Sequence, residues 1–153
     1  MIQRIQTIYL LIATLIMASL FFVPLATFTT SGDIYDLSVM GIRSADGSMV
    51  YATQYLIIIA AITTLLPLIN IFLFKKRMLQ IRLCVVQIVL ALGTLAVAGV
   101  YYYLSNRFFS EELTNYSIRI ACANPLIAIL FDYLALKGIF KDEMLIKSLD
   151  RIR

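Results

Sequence analysis

The chain has 153 residues, of which 61% are hydrophobic and only 14% charged, with a net charge of +4 and a mean hydropathy of +0.91. That is too apolar for a water-soluble domain of this length. With no histidine, an imidazole general base or histidine metal ligand is excluded, and no Cys-x-x-Cys spacing offers a thiol redox centre.

A helix crossing roughly 30 Å of hydrocarbon needs about 20 predominantly apolar residues. Three uncharged runs meet this, Ile5 to Gly32, Gly47 to Phe74 and Leu83 to Asn106, and a fourth, Ile120 to Leu136, is broken only by Asp132. The expectation is an all-α membrane protein, one four-helix transmembrane domain over 1–153. Its spans are placed at about 6–28, 52–74, 83–105 and 118–138.

The first run is longer than the roughly 7 to 15 apolar residues of a secretory signal, and it reads as an uncleaved anchor. Pro24 either kinks it or marks its last turn. The outer loop 29–51 switches to alternation through Ile34, Leu37, Val39 and Ile42. Asp46-Gly47 then precedes Met49, Val50 and Tyr51, a hairpin signal. A two-stranded hairpin is expected, with an irregular connector as the alternative. The second span carries Pro67, a candidate kink, and Asn70.

Between spans two and three, Lys75, Lys76, Arg77 and Arg82 gather four positive charges. With Arg4, Lys137, Lys141, Lys147, Arg151 and Arg153, one side of a four-span chain holds ten of the 13 basic residues. Only Arg43, Arg107 and Arg119 fall on the other side. The positive-inside rule then makes these four residues topology-setting and places both termini in the cytoplasm. Cys84 and Cys122 fall near opposite ends of their spans and are too far apart to pair.

The third span ends in Tyr101-Tyr102-Tyr103 and Phe108-Phe109, suited to an interfacial belt. Ser110-Glu111-Glu112 could cap a short turn. The fourth span continues past Gly138 into a cytoplasmic helical extension, residues 139–153. Lys141, Asp142, Glu143, Lys147, Asp150, Arg151 and Arg153 make this tail suited to docking a partner, and Glu143 precedes Lys147 in the favoured ion-pair order.

Counted inward from the nearest basic residue, Asn70, Gln87 and Asp132 each lie five residues deep, about 7 Å inside the inner boundary. Three polar side chains on three helices at one depth allow two readings. Asn70 and Gln87 donate to the Asp132 carboxylate as interhelical glue, or the three form a cation or proton site.

The opening Met1-Ile2-Gln3-Arg4-Ile5-Gln6-Thr7-Ile8-Tyr9-Leu10-Leu11 and the closing Lys141-Asp142-Glu143-x-Leu145-Ile146-Lys147-Ser148-x-Asp150-Arg151-Ile152-Arg153 resemble a domain-of-unknown-function family of small four-helix membrane proteins from Bacteroidota. The resemblance implies a bacterial inner membrane and supplies no activity. The expected function is a non-catalytic accessory or scaffolding subunit of a larger membrane complex. The alternative is a small oligomeric proton- or cation-coupled transporter or channel using Asp132. The expected partners are the lipid bilayer and that complex, or further copies of the chain. Neither nucleic acid, a cofactor nor a metal is expected.

Overall fold

A computed structural model describes residues 3–73, 76–109 and 113–150. Four α-helices carry the chain: α1 (Gln3–Ser19), α2 (Gln54–Phe72), α3 (Arg77–Phe108) and α4 (Asn124–Asp150). At 1.5 Å per residue they measure roughly 26, 29, 48 and 41 Å. Three stretches, Gln54–Phe72, Arg77–Phe108 and Ile120–Ile146, are long and apolar enough to cross a membrane, while α1 is shorter.

The helices form an antiparallel ring in which α1 packs on α2 and α4, and α3 packs on the same two. Each buries a narrow seam that advances by alternating steps of four and three. On α2 it runs Leu56, Ala60, Thr63, Pro67, Asn70, and on α3 Gln80, Cys84, Gln87, Ala91, Thr94, Ala98. An alternation averaging 3.5 residues keeps one face turned to its neighbour in a left-handed bundle.

Small and polar residues fill much of this seam, whereas large apolar ones such as Ile58, Leu65, Val89 and Leu130 point outward. In water that arrangement is inverted. In hydrocarbon an outward leucine loses nothing, and small inward residues let backbones approach closely. This inversion, with the three long apolar helices, makes the chain a membrane protein. Thr63 and Thr94 hydroxyls meet across α2 and α3 at 3.2 Å. Pro67 lies inside α2 without ending it.

Over one end of the ring sits a five-stranded antiparallel sheet in the order β4-β3-β2-β1-β5. The strands are β1 (Ala26–Thr30), β2 (Ile34–Ser38), β3 (Gly41–Ser44), β4 (Met49–Tyr51) and β5 (Leu113–Ile118). This corrects the all-α, two-stranded expectation. The Asp46-Gly47 turn does join β3 to β4, with Gly47 at φ 78° and its N–H donating to the Ser44 carbonyl at 2.8 Å. The sheet also recruits residues that hydropathy alone had assigned to helices.

The first helix stops at Ser19 rather than running to Phe28. Pro24 biases Val23 away from the helical region, and the threonine-rich Ala26-Thr27-Phe28-Thr29-Thr30 pairs with β2 on one side and β5 on the other. The fourth helix starts at Asn124, not Ile118. Residues 113–118 are strand, residues 120–123 form a 3₁₀ turn, and Pro125 occupies the first helical turn, where its missing N–H costs nothing.

The sheet docks on the last turns of α3. Phe28, fully buried, lies 5.5 Å from the Tyr102 ring and 6.2 Å from that of Phe109, and Tyr35 stacks on Phe109 at 4.6 Å. Of the aromatics expected as a belt, Tyr101, Tyr102 and Phe109 join the sheet's core, while Tyr103 and Phe108 stay exposed. Gly41 adopts φ 150°, where a Cβ would stand 2.7 Å from the Tyr51 carbonyl oxygen.

Opposite the sheet, the start of α1, the α2–α3 connection and the end of α4 come together around Leu10, Cys84, Ala135 and Ile139. Gly138 does not break α4. Lys75, Arg151, Arg153 and the Ser110-Glu111-Glu112 segment lie outside the described residues, as do the side chains of Arg4, Lys147 and Asp150.

Candidate functional site

The three residues singled out by depth all lie on the buried seam: Asn70 and Gln87 are 0% exposed and Asp132 2%. Antiparallel packing sets their layer. Cys84 on α3 packs with Ala135 and Ile139 on α4, and Ala98, further along α3, shares a core with Ala128, earlier on α4. Between these levels Gln87 stands opposite Asp132.

The hydrogen bonds differ from the glue arrangement. Asn70 Nδ2 donates to the Gln80 carbonyl at 3.3 Å and to Cys84 Sγ at 3.2 Å, and Gln80 Nε2 returns a bond to the Asn70 carbonyl at 2.9 Å. This reciprocal clamp closes the α2–α3 turn and leaves none of Asn70's donors for Asp132. Gln87 Nε2 and Oε1, Asn70 Oδ1 and Asp132 Oδ1 are buried without a hydrogen-bond partner among the described residues. Arg82 points outward and is exposed, so it does not neutralise the carboxylate.

Lys76 is likewise exposed and Arg77 half-buried at the start of α3. In the tail, Asp142 is held rather than free: Gln6 Nε2 donates to its Oδ2 at 2.7 Å. A Cβ on Gly138 would meet Gln6 Cγ at 3.0 Å, so the tail's first turn belongs to the bundle. Lys141 is exposed and Glu143 half-buried.

Sequence reasoning passed over Gln6, Gln80 and Cys84. Their signal was the four-three spacing itself, because Gln80, Cys84 and Gln87 are consecutive seam positions. No group of three His, Cys, Asp or Glu gathers among the described residues.

A second candidate lies at the sheet end. An apolar groove of about 300 Å³ runs between β4 and the end of α3, lined by Ile42, Val50, Tyr51, Leu104, Phe108 and Phe109 among others. Beside it β4 is an edge strand whose three residues are all exposed. On the far face of the sheet, Arg119 Nε donates to Thr27 Oγ1 at 3.0 Å, and that hydroxyl donates to Asp36 Oδ1 at 2.8 Å.

A family model described as a domain of unknown function (DUF4293) matches residues 2–152. No curated protein matches the chain.

Proposed function

We propose that this chain, which belongs to the DUF4293 family of domains of unknown function, is a non-catalytic accessory or scaffolding subunit of a larger complex in a bacterial inner membrane. Its termini face the cytoplasm and its sheet the outer side. The orientation is supported by Lys76, Arg77 and Arg82 lying at the end away from the sheet.

The observation that carries the subunit reading is the free edge of β4 beside the apolar groove. Unpaired edge strands are templates for another strand. An extended segment of a partner added to β4 gains main-chain hydrogen bonds, and its alternate side chains enter the groove lined by Val50, Tyr51 and Phe108. The sheet fixes the register and the groove selects an apolar side chain.

The test is purification in mild detergent at native expression, comparing the unmodified chain with Val50→Lys by quantitative mass spectrometry. Val50 is exposed, so the charge blocks edge pairing at little cost to the fold. Stoichiometric recovery of a larger membrane protein, reduced at least about tenfold by the lysine, is expected. A lone monomer or homo-oligomer with both chains contradicts the reading.

One observation favours a second reading, a small oligomeric transporter or channel. Asp132 and Gln87 reach the bundle interior with polar atoms that no described residue satisfies.

A further inference from the structure

The interior layer can be argued further, independently of whether β4 docks a partner. Buried polar atoms are rarely left unbonded, since each orphan costs about 1–3 kcal/mol. Here four such atoms belong to three neighbouring side chains: Asn70 Oδ1, Gln87 Oε1 and Nε2, and Asp132 Oδ1. They are linked through α3. Asn70 reaches Cys84, Cys84 packs in one core cluster with Ala135, the buried α4 residue that follows Asp132 on the seam, and Gln87 is the next seam residue after Cys84.

The chemistry is lopsided. Three of the four orphans are oxygens, one of them on a carboxyl, and none has a hydrogen-bond partner among the described residues. Unpartnered acceptors call for a positive partner, and the one spare donor, Gln87 Nε2, bonds none of them. Among the described residues nothing resolves this: Arg82 and Lys76 are exposed, and Asn70's amide hydrogens are already committed to Gln80 and Cys84.

Hard oxygen donors with a single formal negative charge suit a monovalent metal cation. A divalent ion would leave net charge in a low-dielectric interior, which is costly, and the absence of a second carboxylate in the layer argues against it. Sulfur is not needed as a ligand, because Cys84 Sγ already accepts from Asn70.

We propose that Asp132, Gln87 and Asn70 together bind one monovalent metal cation of the sodium or potassium class inside the helical bundle. Asp132 supplies the charge, and the two amide oxygens replace part of the ion's hydration shell. The Gln80–Asn70 clamp is a positioning device: it consumes the Asn70 donors and leaves its oxygen for the ion.

The test is thermal unfolding of the purified full chain in detergent, titrating sodium, potassium or lithium chloride against choline chloride at constant ionic strength and pH. A ligand that binds only the folded state stabilises it by mass action. The unmodified protein should show a saturable rise in Tm of about 5 °C for at least one of the metal ions. Asp132→Asn should abolish the rise, and Gln87→Leu should shift its midpoint at least about tenfold higher in cation. Identical melting in choline and in all three metal chlorides overturns the site even if neither variant folds. So does a rise that survives Asp132→Asn unchanged, or a dependence on pH with none on metal.

Discussion

The sheet and the bundle seam handle their buried polar groups in opposite ways. On the sheet, Thr27 is bonded to both Asp36 and Arg119, Thr53 donates to the Val39 carbonyl at 2.7 Å, and Ser38 to the Gly41 carbonyl at 2.8 Å. In the seam the hydroxyls are similarly quenched, Thr63 by Ile59 and Thr94 by Leu90. The larger groups are not. Of the five buried side-chain atoms without a partner among the described residues, four lie on Asn70, Gln87 and Asp132, and one, Thr30 Oγ1, lies in the sheet. A short hydroxyl finds a carbonyl within its own turn or hairpin, whereas an amide or carboxyl at the bundle centre depends on other helices. Where those helices present alanine, the polar group is left for something else.

The largest effect that would break this contrast is at Phe28. Phe28→Ala removes the sheet's central ring and should cost about 3–5 kcal/mol, lowering Tm on the order of 10 °C, as followed by circular dichroism in detergent. An unchanged Tm would mean the sheet is not coupled to the bundle through α3. Next comes Thr27→Val, which removes two hydrogen bonds to charged groups, the half-buried Asp36 and the exposed Arg119, and should cost about 1–3 kcal/mol. Gly41→Ala belongs to the same range, about 1–3 kcal/mol for forcing a Cβ against the Tyr51 carbonyl at positive φ.

Smaller effects are expected in the seam. Thr63→Val loses one interhelical contact worth about 0.6 kcal/mol, because Thr94 keeps its own bond to Leu90. The smallest is Gln87→Leu in choline buffer: replacing a buried amide that has no partner should leave stability unchanged or slightly raised. A drop as large as that of Thr27→Val would show that the Gln87 amide is satisfied, and the contrast would fail.

Much of this was legible in the sequence because it is local. Charge-free runs marked α2 and α3, Asp46-Gly47 marked its turn, and counting from basic residues found Asn70, Gln87 and Asp132. What was not legible is long-range. Ala26 to Thr30 looks like the end of an apolar helix until its partner is known, and that partner, Leu113 to Ile118, lies far along the chain. Arg119 was counted only as a charge on the sparse side, yet it bonds Thr27. Likewise the depth count put Asn70 beside Asp132 but could not show that the start of α3 delivers the Gln80 carbonyl and Cys84 to it first.

The proposed orientation sets the two regions in different environments, the seam within hydrocarbon and the sheet on the far side of the membrane from the start of α1 and the end of α4. Asp46, at the β3–β4 turn, and Lys141, at the opposite end of the bundle, are both exposed, so Asp46→Cys and Lys141→Cys can report it. Each is labelled with a membrane-impermeant maleimide in spheroplasts, before and after lysis, against the unmodified chain whose two thiols are buried or half-buried. The account predicts that Asp46→Cys reacts in intact spheroplasts and Lys141→Cys only after lysis. Labelling of both from the same side would contradict it.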